Sequence, residues 1–194
     1  MLVKNINEAL KEFTNESKAR ETLKLISQVF SIKNYLIIGG FALRIYDRNA
    51  RPLTPDIDLL ISLKAGNELD EFIKQAKLID KHYFQDAEWI ILQVNGVDVD
   101  IKVESKNYER EALNNPNIVN YEGSKLAVVK PEYLALMKLD TMRDKDEQDL
   151  MVILGWKNFD MERFEELVRR YLPERLEDLE QLKLIALWRK QGRF

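Results

Sequence analysis

The stretch YLIIGGFALRIYDRNARPLTPDIDLLI, residues 35–61, constrains the fold more than any other part of this chain. Tyr35 to Ile38 is an apolar run of strand length, Gly39-Gly40 reads as a turn, and Phe41 to Tyr46 as an amphipathic helix. A polar connection holding Arg51 and Thr54 leads to a second strand, where Asp56 and Asp58 alternate with Ile57 and Leu59. A glycine pair lets backbone N–H groups approach a ligand with no Cβ in the way, and the helix that begins there aims its unpaired N–H groups and positive dipole end at the same spot. An anion is favoured at that turn. Residues two apart in a strand share a face, so Asp56 and Asp58 project together while Ile57, Leu59 and Ile61 project into the core. Like charges ~4 Å apart repel by ~1 kcal/mol in water and ~4 kcal/mol near a protein surface, so the pair calls for a divalent cation. Oxygen ligands beside a phosphate favour Mg²⁺ or Mn²⁺ over zinc, and a chain without cysteine has no thiolate to offer.

The flanking sequence supplies what such a pair of strands needs in order to fold. Ile6, Leu10 and Phe13, then Leu23, Ile26 and Phe30, fall at helical spacing with an interruption around Thr14 to Ser17. Gly66 to Ile79 predicts another helix, with Leu69, Phe72, Ile73 and Ala76 on its buried face. Residues 88–104, EWIILQVNGVDVDIKVE, predict a hairpin turning at Asn95-Gly96. Its second arm alternates: Val97, Val99, Ile101 and Val103 face one way, and Asp98, Asp100, Lys102 and Glu104 the other. A third acid is thus available from either Asp98 or Asp100. A short helix over 107–113 and a hairpin turning at Glu122-Gly123 follow.

From Pro131 onward the chain reads as helix only. PEYLALMKLDTM carries Lys138 as its single cation; Arg143, Asp146 and Asp149 follow at spacings of three; two amphipathic helices close the chain, from about Asp160 to Leu172 and from about Leu176 to Lys190. The expected architecture is α+β, with a mixed sheet flanked by helices in residues 1–130 and a helical region, 131–194, packed on it. Trp89, Trp156 and Trp188 read as core or interface residues.

Composition narrows the function class. A net charge of −3 with 30 basic and 33 acidic residues provides no overall field to recruit nucleic acid. Zero cysteine excludes a disulfide framework and a thiolate zinc site, and the lone His82 reads as a surface or strand-edge residue. The first residues mix charged and apolar positions as a helix does, unlike a signal peptide, and no apolar run approaches membrane-spanning length, so a cytoplasmic protein is expected.

The order of strand, Gly-Gly, helix, Asp-x-Asp strand and later acidic strand resembles the nucleotidyltransferase superfamily that includes DNA polymerase beta. Within it, the chain is most similar to the minimal, abortive-infection (AbiEii-type) toxin nucleotidyltransferases. Those families carry GG-x-AL, an Arg and a Ser or Thr ahead of the Asp pair, and a later pattern of Lys, Arg and D-x-x-D. The matching residues here are Gly39-Gly40-Phe41-Ala42-Leu43, Arg51, Thr54, Lys138, Arg143, Asp146 and Asp149. Two departures stand out: Phe41 occupies a position where many active members carry Ser or Thr, and two residues separate Arg51 from Thr54 where one is usual.

The resemblance implies a metal-dependent enzyme that moves an NMP from an NTP to an acceptor hydroxyl and releases pyrophosphate. Asp56, Asp58 and Asp100 would then be the catalytic carboxylates and the ligands of Mg²⁺ or Mn²⁺, with Asp100 preferred over Asp98 for its apolar-Asp-apolar context in VDIKV. Gly39, Gly40, Arg51, Thr54, Lys138 and Asp149 would bind the nucleotide. The acceptor is a tRNA 3′ end, a protein or a small molecule, and a cognate antitoxin protein is the implied partner. Two other readings compete: a catalytically inactive nucleotide-binding or antitoxin-like module with the same fold, and an interaction domain whose acids are surface residues. Lys138, with Arg143, Asp146 and Asp149, reads equally well as a structural ion network.

Overall fold

The computed structural model describes residues 2–47, 50, 56–76, 78–83 and 89–190. They fall into two compact units, residues 1–130 and 131–194.

In the first unit two helices, α1 (Leu2–Leu10) and α2 (Glu16–Val29), precede the sheet. The break between them is fixed by Asn15, whose side chain accepts the Lys18 N–H at 3.0 Å and so caps α2. Ile6, Leu10, Phe13, Leu23, Ile26 and Phe30 are all buried, as their spacing requires. Then come β1 (Tyr35–Ile37), α3 (Gly39–Tyr46), β2 (Asp56–Ile61), a 3₁₀ turn (Leu63–Ala65), α4 (Gly66–Gln75), β3 (Leu78–Tyr83), β4 (Trp89–Val94), β5 (Val97–Val103), α5 (Asn107–Asn114), β6 (Asn117–Tyr121) and β7 (Ser124–Val128).

Among the described residues, the strands form one mixed sheet of seven in the order β3-β4-β5-β2-β1-β7-β6. β2 runs antiparallel to β1 on one side and parallel to β5 on the other. The hairpin predicted around Asn95-Gly96 is β4–β5, with φ of 53° and 79° at its two central residues. Both lie in the left-handed region that matches the twist of paired strands, and Gly96 adopts it without a Cβ penalty. The hairpin β6–β7 turns in the same way at Glu122-Gly123. The core sits on β1, β2 and β5, where Tyr35, Leu36, Ile37, Ile57, Leu59, Leu60, Val99 and Ile101 have no exposed surface. Phe30 packs against Phe72 of α4 with ring centroids 5.4 Å apart.

One expectation needs correction. The helix expected to reach Ile79 stops at Gln75, and Leu78 begins an edge strand that local sequence did not announce. Pairing with β4, at Lys81↔Leu92 and Tyr83↔Ile90, decides the conformation of this segment, because strand preference depends on the neighbouring strand more than on the residues themselves. Of the helix face assigned to α4, Phe72 and Ala76 are buried while Leu69 and Ile73 remain half-exposed. Of the tryptophans read as core or interface residues, Trp89 and Trp156 are half-buried and Trp188 is exposed. His82 lies on the edge strand β3, opposite Ile91.

The second unit contains α6 (Pro131–Thr141), α7 (Asp144–Leu154), α8 (Met161–Tyr171), a 3₁₀ turn (Pro173–Arg175) and α9 (Leu176–Lys190). Asp160 caps α8 by accepting the Arg163 N–H at 2.9 Å, and Phe164, Leu167 and Val168 are its buried face. Among the described residues, no helix is long and apolar enough to cross a membrane.

Because Leu59 is fully buried on β2 between Ile37 and Ile101, truncation there leaves a cavity at the centre of the sheet. Leu59→Ala is expected to cost ~2–5 kcal/mol. The check is urea unfolding, where the midpoint should fall at unchanged slope.

Candidate metal centre

The in-register parallel pairing of β2 and β5 places Asp56 opposite Asp98 and Asp58 opposite Asp100. Neighbouring strands lie about 4.8 Å apart and opposite residues share a face, so the acids of both strands project to the same side. There one carboxylate oxygen each from Asp56, Asp58 and Asp100 lies within 4.8 Å of the others, and all three residues are half-buried. Asp98 takes a different course. It is exposed and accepts a hydrogen bond from Gln93 Nε2 of β4 at 3.1 Å.

The cluster has two features that bear on a cation. Among the described residues, Asp56 Oδ1 is buried with no hydrogen-bond partner, a costly state for a carboxylate oxygen. The donor set is all oxygen, which suits a hard divalent ion such as Mg²⁺ or Mn²⁺, and these residues fit one on both counts. Asp58 is tied to the turn beside it: Gly40 N–H donates to its Oδ2 at 3.3 Å, and Ile38 N–H donates to its carbonyl at 2.9 Å. Ile38, the N-cap of α3, gives no side-chain cap, so the carboxylate of Asp58 serves the helix terminus from the next strand. The anion that meets the glycine turn in this structure is therefore part of the acid cluster itself.

Phe41, the position that departs from the resembled pattern, is fully buried and packs edge-on against Phe13 with centroids 5.9 Å apart. Its side chain belongs to the core, and no hydroxyl is offered from that position. Arg51 and Thr54 lie outside the described residues.

Two buried glutamates that sequence reasoning passed over hold β5 in place. Glu104, just beyond β5, accepts from Ser62 Oγ at 2.9 Å and from Leu63 N–H at 3.0 Å, which ties the ends of β5 and β2 together. Glu109 of α5 accepts from the N–H groups of Ser105 and Lys106 at 2.8 and 3.0 Å and pairs with Lys102, two residues beyond Asp100. The clue in the sequence was a Glu at the third position of a short helix, as in a capping box.

In the second unit, Lys138 of α6 is buried and its Nζ contacts Asp146 Oδ1 at 2.9 Å and Asp149 Oδ2 at 2.8 Å, both on α7. Thr141 Oγ1 and Arg143 Nε donate to Asp146 Oδ2 at 2.8 and 2.5 Å. A left-handed residue, Met142 with φ 44°, joins the two helices and folds α7 back so that these groups meet. Burial by itself would raise the pKa of Asp146; the hydrogen bonds from Arg143 and Lys138, the Lys138 charge and the Thr141 hydroxyl outweigh it and hold the carboxyl well below its ordinary range. The spacing of three pointed to this network, whereas Thr141 as a member gave no signal of its own.

A family model described as "Nucleotidyltransferase of unknown function (DUF6036)" matches residues 17–190. Among solved structures, the chain is similar to an antigenic nucleotidyltransferase-like protein from Paracoccidioides brasiliensis, with 15% identity, a TM-score of 0.51, and coverage of 86% of this chain and 92% of that one. It is also similar to the antibiotic-resistance factor ANT(2'')-Ia, with 13% identity, a TM-score of 0.52, and coverage of 84% and 97%. No curated protein sequence matches the chain. At such identities the structural likeness establishes the fold.

The ion network predicts a pH dependence. The folded pKa of Asp146 lies below its unfolded value of ~3.9, so its stabilisation is fully present above that value and is lost as pH falls through and below it. The urea midpoint of the wild type should therefore drop more steeply between about pH 5 and 2 than that of Asp146→Asn. Lys138→Met, which removes the buried ammonium that Asp146 and Asp149 share, is expected to cost ~3–5 kcal/mol at neutral pH in the same assay.

Proposed function

The chain belongs to the nucleotidyltransferase family whose model spans residues 17–190, and from that membership we propose that it is a metal-dependent enzyme moving an NMP from an NTP to an acceptor hydroxyl. The observation that carries this reading is the three-carboxylate cluster of Asp56, Asp58 and Asp100, with a buried oxygen on Asp56 that has no partner among the described residues.

In this reading Asp56, Asp58 and Asp100 hold Mg²⁺ or Mn²⁺, which when bound supplies charge neutralisation to the triphosphate and lowers the pKa of the attacking hydroxyl. The acceptor oxygen attacks the α-phosphorus, the bond to the bridging oxygen breaks, and pyrophosphate leaves. Asp100, the carboxylate contributed by β5, helps take up the hydroxyl proton. The N-terminus of α3 at Gly39-Gly40 faces the negative charge of the phosphates with its dipole, and Arg51 and Thr54 supply further contacts. By the resemblance, Lys138 and Asp149 of the second unit are also assigned to nucleotide binding, Lys138 as a cation for the phosphates, in addition to the ion pair they form with each other. Most of the catalysis assigned to the protein is positioning and electrostatics.

The acceptor is drawn from three classes that carry a reactive hydroxyl: a tRNA 3′ end, a protein side chain and a small molecule. The AbiEii-type pattern of GG-x-AL, Asp pair, Lys, Arg and D-x-x-D supports a toxin of a toxin–antitoxin pair, with a protein antitoxin as its partner and the cytoplasm as its site of action. The core position of Phe41 favours a second reading, a module that binds nucleotide without transferring it.

Thermal melting with and without Mg²⁺ and each NTP separates these readings. A ligand at about 100 times its dissociation constant adds ~2.7 kcal/mol, enough to raise the midpoint by several degrees. The rise should require the metal, disappear in Asp56→Asn and single out one NTP. Label from an α-labelled NTP should then appear on an acceptor with wild type and not with Asp58→Asn. Binding without labelling selects the non-catalytic module, and no shift with any NTP overturns the enzyme assignment.

A further inference from the structure

Gly39 has a backbone and a neighbour that together restrict it to glycine. Its φ of +64° lies in the left-handed region, and a Cβ built on it would stand 1.9 Å from Asp58 Oδ2, 2.4 Å from Cγ and 2.8 Å from Cβ. These are the three heavy atoms nearest to that Cβ, and all belong to Asp58. Rotating the carboxylate relieves the first two contacts and leaves the third, because the Cβ of Asp58 is fixed by a strand paired on both sides, at Leu59 with Ile37 and at Asp58 with Asp100. That rotation would also carry Oδ2 off the Gly40 N–H and change the placement of a carboxylate that belongs to the cluster with Asp56 and Asp100.

We propose that Gly39 is a positioning residue for metal binding: its missing Cβ is the space in which the carboxylate of Asp58 stands to complete the cluster with Asp56 and Asp100. This rests on the reading of that cluster as a divalent-cation site. It assigns the first glycine of the turn a role through Asp58, separate from any contact of backbone N–H groups with phosphate. Two requirements act on the position, conformation and clearance, and they can be separated by chemistry. Asn tolerates the left-handed region far better than Ala, yet both carry a Cβ.

The experiment is titration of the full chain with Mn²⁺, following free ion by electron paramagnetic resonance, for wild type, Gly39→Asn and Gly39→Ala. Outer-shell positioning groups usually change metal affinity by 10–100-fold, so both variants should bind Mn²⁺ at least about tenfold more weakly. If wild type binds Mn²⁺ and Gly39→Asn binds it equally well, the positioning role is overturned while the metal site stands. If wild type binds none, both fall. A second measurement covers the case in which Gly39→Asn fails to fold. Asp58→Gly removes all three atoms in the way, so the loss of urea midpoint caused by Gly39→Asn should shrink in that background. A double variant that folds where the single one does not supports the proposal, and an equal loss, or unfolding, in both backgrounds overturns it.

Discussion

Parallel pairing of β2 with β5, in unbroken register from Asp56↔Asp98 to Ile61↔Val103, is the constraint on which the first unit depends. Each strand alone buries one face and presents acids on the other. Only their alignment brings carboxylates from two segments of chain to a common point, and a slip by one residue would send every acid to the core face. The register is held in the middle and at one end. Buried Val99 and Ile101 sit beside Ile57 and Leu59 in the middle, and Glu104 clasps Ser62 and Leu63 where the two strands finish. Core packing and the acid cluster are therefore two faces of one arrangement.

The cluster's electrostatics follow from that arrangement. Three carboxylates gathered at the edge of a low-dielectric core repel one another, and the fold offsets part of this with the N-terminus of α3, whose Gly40 N–H reaches Asp58. The second unit meets a comparable problem differently. Asp146 and Asp149 are fully buried, but each has the Lys138 ammonium within 3 Å, and Asp146 adds two further donors. Acids with internal cations are satisfied as they stand. An acid such as Asp56, with a buried oxygen left over among the described residues, calls for a further partner.

Much of this was legible in the amino-acid order because the signals were local. Asn95-Gly96 between alternating runs gave the hairpin, Asp160 gave a helix start, and the period-two placement of Asp56 and Asp58 gave their shared face. What was not legible depends on neighbours distant in the chain. Asp98 and Asp100 are equivalent by alternation, so the preference for Asp100 came from the resemblance alone, and it is the strands on either side that send one toward Gln93 and the other toward Asp58. The segment after Gln75 carries no strong strand pattern and becomes β3 because β4 offers an edge. Phe41 lies in an amphipathic helix whose inward face is set by Phe13, a contact no local pattern encodes.

The strand order has a consequence for how the chain assembles. The hairpins β4–β5 and β6–β7 close two-residue turns, whereas β2 must meet β5 across α4, β3 and β4. Loop-closure entropy for that meeting is spent before its contacts give anything back, so short-range pairings form first and the long-range one follows. A chain emerging from synthesis holds Asp56 and Asp58 well before Asp100 exists beside them. Until β5 docks, the three carboxylates have no common address, and a divalent ion has nothing to recognise but scattered surface acids.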